Sequence, residues 1–169
     1  MNITELPGVE IARLIKNQEF SATEVLEATL YRIDEVNRYC NAFVNLDIPA
    51  ARAQAGRADN MLLTKAVGDL PELHGVPFTA KDLIDTAGMR STYGSRAFAD
   101  YVPEKDAACI ERMRRAGAIL IGKTTTPELA MKVTTDSLLS GITRNPWDTN
   151  LTPGGSSGGA GAAVATGMG

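Results

Sequence analysis

The chain has 169 residues, 44% of them hydrophobic and 22% charged, with a net charge of −3. That length is one domain's worth, and that composition excludes a largely disordered chain, which is apolar-poor and highly charged. It also argues against direct nucleic-acid binding, which needs clustered positive charge. His74 is the single histidine, so a zinc site built on two or more histidines is excluded; no metal and no cofactor are expected. No segment approaches the ~18 apolar residues of a membrane span, and the N-terminus lacks a basic start followed by an apolar run. No membrane partner is expected, and the expected compartment is the cytoplasm. Cys40 and Cys109 stand far apart without a surrounding motif and are expected to be reduced core thiols.

Alternating helices and loops open the chain. Pro7 to Asn17 predicts a short helix with an apolar stripe of Val9, Ile11, Ala12, Leu14 and Ile15. Ser21-Ala22-Thr23-Glu24 fits a capping box, with Ser at the cap and Glu three residues on. The helix it opens carries Val25, Leu26, Thr29, Leu30, Ile33 and Val36 at helical spacing. Ala42 to Leu46 predicts a short strand, and Pro49 the first turn of a helix reaching Lys65. Val76 to Ala80 predicts a strand running up to Lys81; Pro77 has no N–H to donate, so this strand lies at an edge or begins there. Lys105 to Ala116 predicts a helix stopped by Gly117, and Ala118 to Ile121 a buried strand. Helix, glycine, apolar strand is α/β grammar, with both sheet faces covered.

Gly117 to Thr124 matches G-x-x-x-x-G-K-[ST], the phosphate-cradling loop. The context opposes it. A helix precedes the match, its variable positions are an apolar run suited to a strand, and Thr124-Thr125-Thr126-Pro127 is poor helix material. The residues read instead as a core strand ending in a polar turn.

Two segments carry candidate chemistry. The first is Thr152-Pro153-Gly154-Gly155-Ser156-Ser157-Gly158-Gly159-Ala160-Gly161, followed by small residues. Such a loop can fold tightly and approach a ligand closely. A helix starting near Gly158 would aim free N–H groups at it. By composition alone a flexible linker or an anion nest fits equally well. The second is Leu73 to Asp82, with Gly88, Thr92, Gly94 and Ser95 beyond. Lys81 at the end of an apolar strand is a candidate buried amine. Burial lowers a lysine's pKa, and a neutral lysine serves as a general base. For a lone lysine the alternative is an ordinary surface side chain.

Taken together, these segments resemble the amidase signature family. The resemblance runs from about Leu73 to Gly169. It includes Lys81-Asp82 with Gly88, Thr92 and Gly94-Ser95, and Arg115 to Thr124 leading to Pro127-Glu128. It also includes Gly141-Ile142-Thr143-Arg144-Asn145-Pro146-Trp147 and the Gly/Ser-rich signature itself. Leu6 to Val44 looks like the family's helical N-terminal region. The resemblance implies an α/β fold, a mixed sheet flanked by helices, incomplete within these residues. Residues 1–169 form one partial domain, with 1–70 mostly helical and 71–169 the start of the α/β core.

The implied activity is hydrolysis of an amide to an acid plus ammonia or amine, through a Ser–cis-Ser–Lys triad. Lys81 matches the family's Lys. Ser156 matches the cis-Ser, joined to Gly155 by a cis peptide bond. Gly154, Gly155, Ser157 and Gly158 fall in the supporting loop, and Ser95 is a further candidate for a supporting hydrogen bond; His74 reads as structural. The resemblance places the nucleophilic Ser and the oxyanion hole beyond Gly169, in a Gly-Gly-Ser-like segment. The expectation is therefore an isolated chain without activity and with unpaired sheet edges, aggregation-prone unless a partner supplies the rest. Thr125 stands where many members carry Asn. The stretch Lys132 to Ser137 looks more like stand-alone amidases than the glutaminase component of tRNA-dependent amidotransferases. The implied partner is a small-molecule amide. A homodimer, amidotransferase partner subunits and a non-catalytic role as an interaction protein stay open, as does the identity of the amide.

Overall fold

In the computed structural model, which describes residues 2–169, the helices start and stop where side chains complete their ends. Helix α1 (Gly8–Lys16) buries Ile11, Ala12, Leu14 and Ile15. Helix α2 (Ala22–Cys40) opens on the complete capping box: the Glu24 N–H donates to Ser21 Oγ at 3.0 Å, and the Ser21 N–H to Glu24 Oε2 at 2.8 Å. It ends at Asn41, which is left-handed at φ 50°. Strand β1 (Phe43–Leu46) leads into α3 (Ile48–Thr64), whose cap is Asp47 and whose second residue is Pro49. Asp59 of α3 accepts the Ala22 N–H at 2.6 Å and the Thr23 hydroxyl at 2.5 Å. A carboxylate is thus set against the positive end of α2 and locks the two helices together.

Strands β2 (Pro77–Lys81) and β3 (Ile119–Thr124) complete a three-stranded mixed sheet of order β1-β3-β2, with β1 antiparallel and β2 parallel to β3. Pro77 begins an edge strand, where its missing N–H costs nothing. The central strand is buried at all six positions. Ile119 and Ile121 join the larger core with residues of α1, α2 and α3, while Leu120 joins Phe78, Ala80, Met89 and Ile110 in a smaller one. Period-two alternation thus fills both faces of the sheet. Between Phe78 and Thr79 the register slips by one residue, so Ala80 pairs with Lys123 and Lys81 with Thr124.

Three expectations are corrected. The fourth helix is α4 (Ala108–Arg115), shorter than Lys105–Ala116. Asp106 is drawn into the preceding loop, where it accepts the Ala87 N–H at 2.7 Å, and the Ala107 N–H is taken by the Asp85 carbonyl. The helix does stop at Gly117: its N–H meets the Arg114 carbonyl at 3.0 Å and the Ala118 N–H meets Met113 at 3.1 Å, a Schellman closure. Cys40 is buried, but Cys109 is exposed on α4, where Ile110 alone turns inward. Finally, the strand does not end in a polar turn after Ile121. It continues through Gly122-Lys123-Thr124, held by partners on both sides, so the phosphate-loop match is a β-strand. A two-stranded ribbon of β4 (Asp136–Ser137) and β5 (Gly141–Ile142) and the final helix α5 (Gly158–Ala165) follow. Among the described residues no helix is long and apolar enough to cross a membrane.

Candidate active site

Lys81 is the last residue of β2, at the carboxyl end of a strand parallel to the sheet's centre, the end where open α/β sheets bind ligands. Its backbone is held by pairing with Thr124 and by the Asp82 N–H on the Thr124 carbonyl at 2.9 Å. Its Nζ donates to Ser156 Oγ at 2.7 Å and to Ser157 Oγ at 3.0 Å. Lys81 and Ser156, separated by 75 positions, are thereby joined in one hydrogen-bonded set. Desolvation by partial burial holds the Lys81 amine below the ordinary lysine value. An amine shifted toward neutrality and bonded to a hydroxyl is the arrangement of a general base and its proton donor.

The serines are presented by a turn that glycines allow. The Gly155–Ser156 peptide bond is cis. The Gly154 N–H donates to Thr152 Oγ1 at 3.1 Å, and a Cβ on Gly155 would lie 2.8 Å from the Thr134 carbonyl. Ser157 is the N-cap residue of α5, and its carbonyl accepts the Gly161 N–H at 3.0 Å. Its hydroxyl makes no cap hydrogen bond, because it is turned to Lys81. Thr135 Oγ1 instead accepts the Gly158 N–H at 3.0 Å and donates to the Gly154 carbonyl at 2.8 Å. One step on, a Cβ on Gly159 would lie 2.5 Å from the Thr125 nitrogen, so α5 packs directly on the backbone that leaves β3.

The Lys at the strand end and the Gly-Gly-Ser-Ser turn bonded to it both lie within a stretch of the chain that a known family matches. The family model described as Amidase covers residues 24–169. The chain belongs to the amidase signature family. It is 43% identical over 162 residues to an indoleacetamide hydrolase of Bradyrhizobium diazoefficiens, covering 96% of this chain and 30% of that protein. It is 39% identical over 165 residues to one of the subunits of the glutamyl-tRNA(Gln) amidotransferase of Lachnoclostridium phytofermentans, covering 98% and 33%. A bacterial aryl acylamidase of the amidase signature family superposes with a TM-score of 0.90 at 33% identity, over 96% of this chain and 34% of that one. The chain thus spans about a third of the length of the relatives it matches, and its α/β architecture is part of a larger amidase fold.

Within this chain of the amidase signature family the expected site residues separate. Lys81, Ser156 and Ser157 come together, with Gly154, Gly155 and Gly158 forming the turn around them. Ser95 does not join them. Its buried hydroxyl donates to Glu128 Oε1 at 2.6 Å and accepts the Ala97 N–H at 3.3 Å, capping a short 3-10 helix. His74 is buried, its Nε2 on the Ala58 carbonyl at 3.0 Å. No three His, Cys, Asp or Glu side chains gather as metal ligands among the described residues. Two residues next to the site stand in motif stretches of the sequence that assign them no role. Asp82, fully buried, takes the Thr92 N–H at 3.0 Å and the Thr92 hydroxyl, and burial pushes its carboxyl up. Lys123, also fully buried, donates to the Ile84 carbonyl, to Thr86 Oγ1 at 3.1 Å and to Ser91 Oγ at 2.8 Å. Together they hold the loop that follows Lys81 against the central strand. The one signal for Lys123 is a charged residue inside an apolar run, which reads more readily as the end of a strand.

Proposed function

We propose that this chain carries the base side of a Ser–cis-Ser–Lys amidase that hydrolyses a carboxylic amide to an acid plus ammonia or amine. The observation that carries the reading is the 2.7 Å hydrogen bond from Lys81 to Ser156. In the proposed mechanism neutral Lys81 takes the Ser156 proton while Ser156 takes one from the nucleophilic Ser, which attacks the amide carbon. The C–N bond breaks as the relay returns a proton to the leaving nitrogen, and water then releases the acid and restores the Ser. The nucleophilic Ser is proposed to lie outside residues 1–169, and segment 1–169 by itself is proposed to be inactive. Ser157, the second acceptor on Lys81, is proposed to orient the amine.

The test is ammonia or amine release from a panel of amides by the full gene product. Lys81→Met and Ser156→Ala are each expected to cost ~10²–10⁴-fold in kcat, and the double variant little more, because the two act as one relay. Lys81 works only unprotonated. Activity is therefore expected to rise with pH as Lys81 titrates, at a pH below the ordinary lysine value of 10.5, and Lys81→Arg is expected to be inactive throughout. Full activity in either single variant would overturn the assignment. A second reading, glutamine hydrolysis within an amidotransferase, is favoured by the relative that is itself an amidotransferase component. Glutamine turnover that appears only with partner subunits would select it.

A further inference from the structure

A single hydroxyl closes the turn that presents both serines. Thr135 is 1% exposed, and its Oγ1 donates to the Gly154 carbonyl while accepting the Gly158 N–H. These two backbone groups flank Gly155, Ser156 and Ser157. No side chain could stand at 158, because a Cβ there would lie 2.3 Å from Thr135 Oγ1. The hydroxyl is itself held from below. The Thr135 carbonyl accepts the Thr143 N–H at 2.9 Å, and Thr143 Oγ1 lies 2.6 Å from Thr125 Oγ1, beneath Gly159. Three buried threonines thus form a floor under the turn.

We propose that Thr135 is a positioning residue for the Lys81–Ser156–Ser157 set, an inference that rests on the triad reading above. A Ser at a helix N-cap ordinarily turns its oxygen to its own helix. Ser157 does not, and the first N–H of α5 is served from another segment by Thr135. The bonds to Gly158 and Gly154 tie both ends of the turn, and within it the Ser157 hydroxyl stays on Lys81. Without the hydroxyl, both ends of the turn lose their tie, and Ser156 and Ser157 lose their fixed distances to the amine.

The experiment compares Thr135→Val, which keeps the shape, with Thr135→Ser, which keeps the hydroxyl, in the full gene product. Thr135→Val is expected to lower kcat by ~10²-fold through misplacement of the serines, with KM nearly unchanged. Thr135→Ser is expected to stay within about threefold of the parent, as retention of both hydrogen bonds requires. Hydrogen exchange at the Gly158 amide is expected to accelerate in Thr135→Val and recover in Thr135→Ser, with the β3 amides unchanged. Undiminished kcat in Thr135→Val, or Thr135→Ser as impaired as Thr135→Val, would overturn the proposal. If Thr135→Val fails to fold, Thr135→Ser decides alone: a loss beyond about threefold sinks the idea. Lys81→Met run alongside separates the failures. Activity in that variant defeats the triad itself, whereas an active Thr135→Val beside an inactive Lys81→Met defeats only the role of Thr135.

Discussion

Lys81 and Lys123 are near neighbours across the β2–β3 ladder, since Lys81 pairs with Thr124 and Lys123 with Ala80, yet their settings differ. Lys81 is half-buried and faces hydroxyls that can exchange protons. Lys123 is sealed, and burial pushes its ammonium down to about 8. Three acceptors surround its Nζ, enough for all three N–H groups of an ammonium. The Ile84 carbonyl can only accept, while Thr86 and Ser91 spend their own protons on the Ile84 and Met89 carbonyls. A neutral amine has only two N–H groups, so the cradle is built for the charged form. Lys123→Met is expected to destabilise the protein by about 1–3 kcal/mol, measured by urea unfolding, with faster hydrogen exchange confined to residues 82–93. Unchanged stability would show that methionine packing replaces everything the ammonium does.

At the scale of elements, helix α5 is rich in glycine for two opposite reasons, and substitution separates them. Gly159 sits against Thr125, where an added Cβ would come within 2.5 Å of its nitrogen and 2.7 Å of its carbonyl oxygen. Backbone atoms of a central strand's end have little room to yield. At Gly161 an added Cβ meets nothing within 4 Å. Alanine is a better helix former than glycine by about 1 kcal/mol. Gly161→Ala is therefore expected to raise the melting temperature by ~2–4 °C, and Gly159→Ala to lower it despite the same gain in propensity. Calorimetry of the two variants checks both, and equal shifts would show that the α5–β3 contact is not close. Other elements followed their sequence signals closely. The capping box of α2, Pro49 early in α3 and the glycine stop of α4 are local devices, readable because each is completed by residues a few positions away.

Over the whole molecule, the helical N-terminal region and the sheet are joined through buried polar contacts as well as apolar ones. His74, in the turn before β2, donates Nε2–H to the Ala58 carbonyl of α3. Burial holds its ring below the ordinary histidine value of 6.5, so the folded protein keeps it neutral. Below pH 6.5 the unfolded chain takes up a proton that the folded chain refuses. The stability present above 6.5 is then lost as the pH falls through the lower, folded value. The melting temperature is expected to drop over that window by ~2–4 °C per kcal/mol lost. His74→Gln, which retains a donor for Ala58, is expected to flatten the dependence. A Gln variant with the parent's slope would assign the titration elsewhere.

The sequence by itself determined the helices, the buried central strand, and the two segments that carry Lys81 and Ser156. Those rest on short-range periodicity, capping and glycine content, and on motifs whose order along the chain is their signature. Only the tertiary structure decided which polar residues belong together. Ser95 stood in the motif but bonds Glu128. Thr135 and Lys123 stood in stretches that pointed to no such role, Lys123 in a phosphate-loop match that is a strand, yet Thr135 closes the serine turn and Lys123 holds the loop after Lys81. The reason is physical. A hydroxyl or an ammonium buried in a fold must find partners, and those partners come from whichever segments the packed sheet and helices bring alongside, here 19 to 39 residues away. No local pattern in the chain encodes such a meeting.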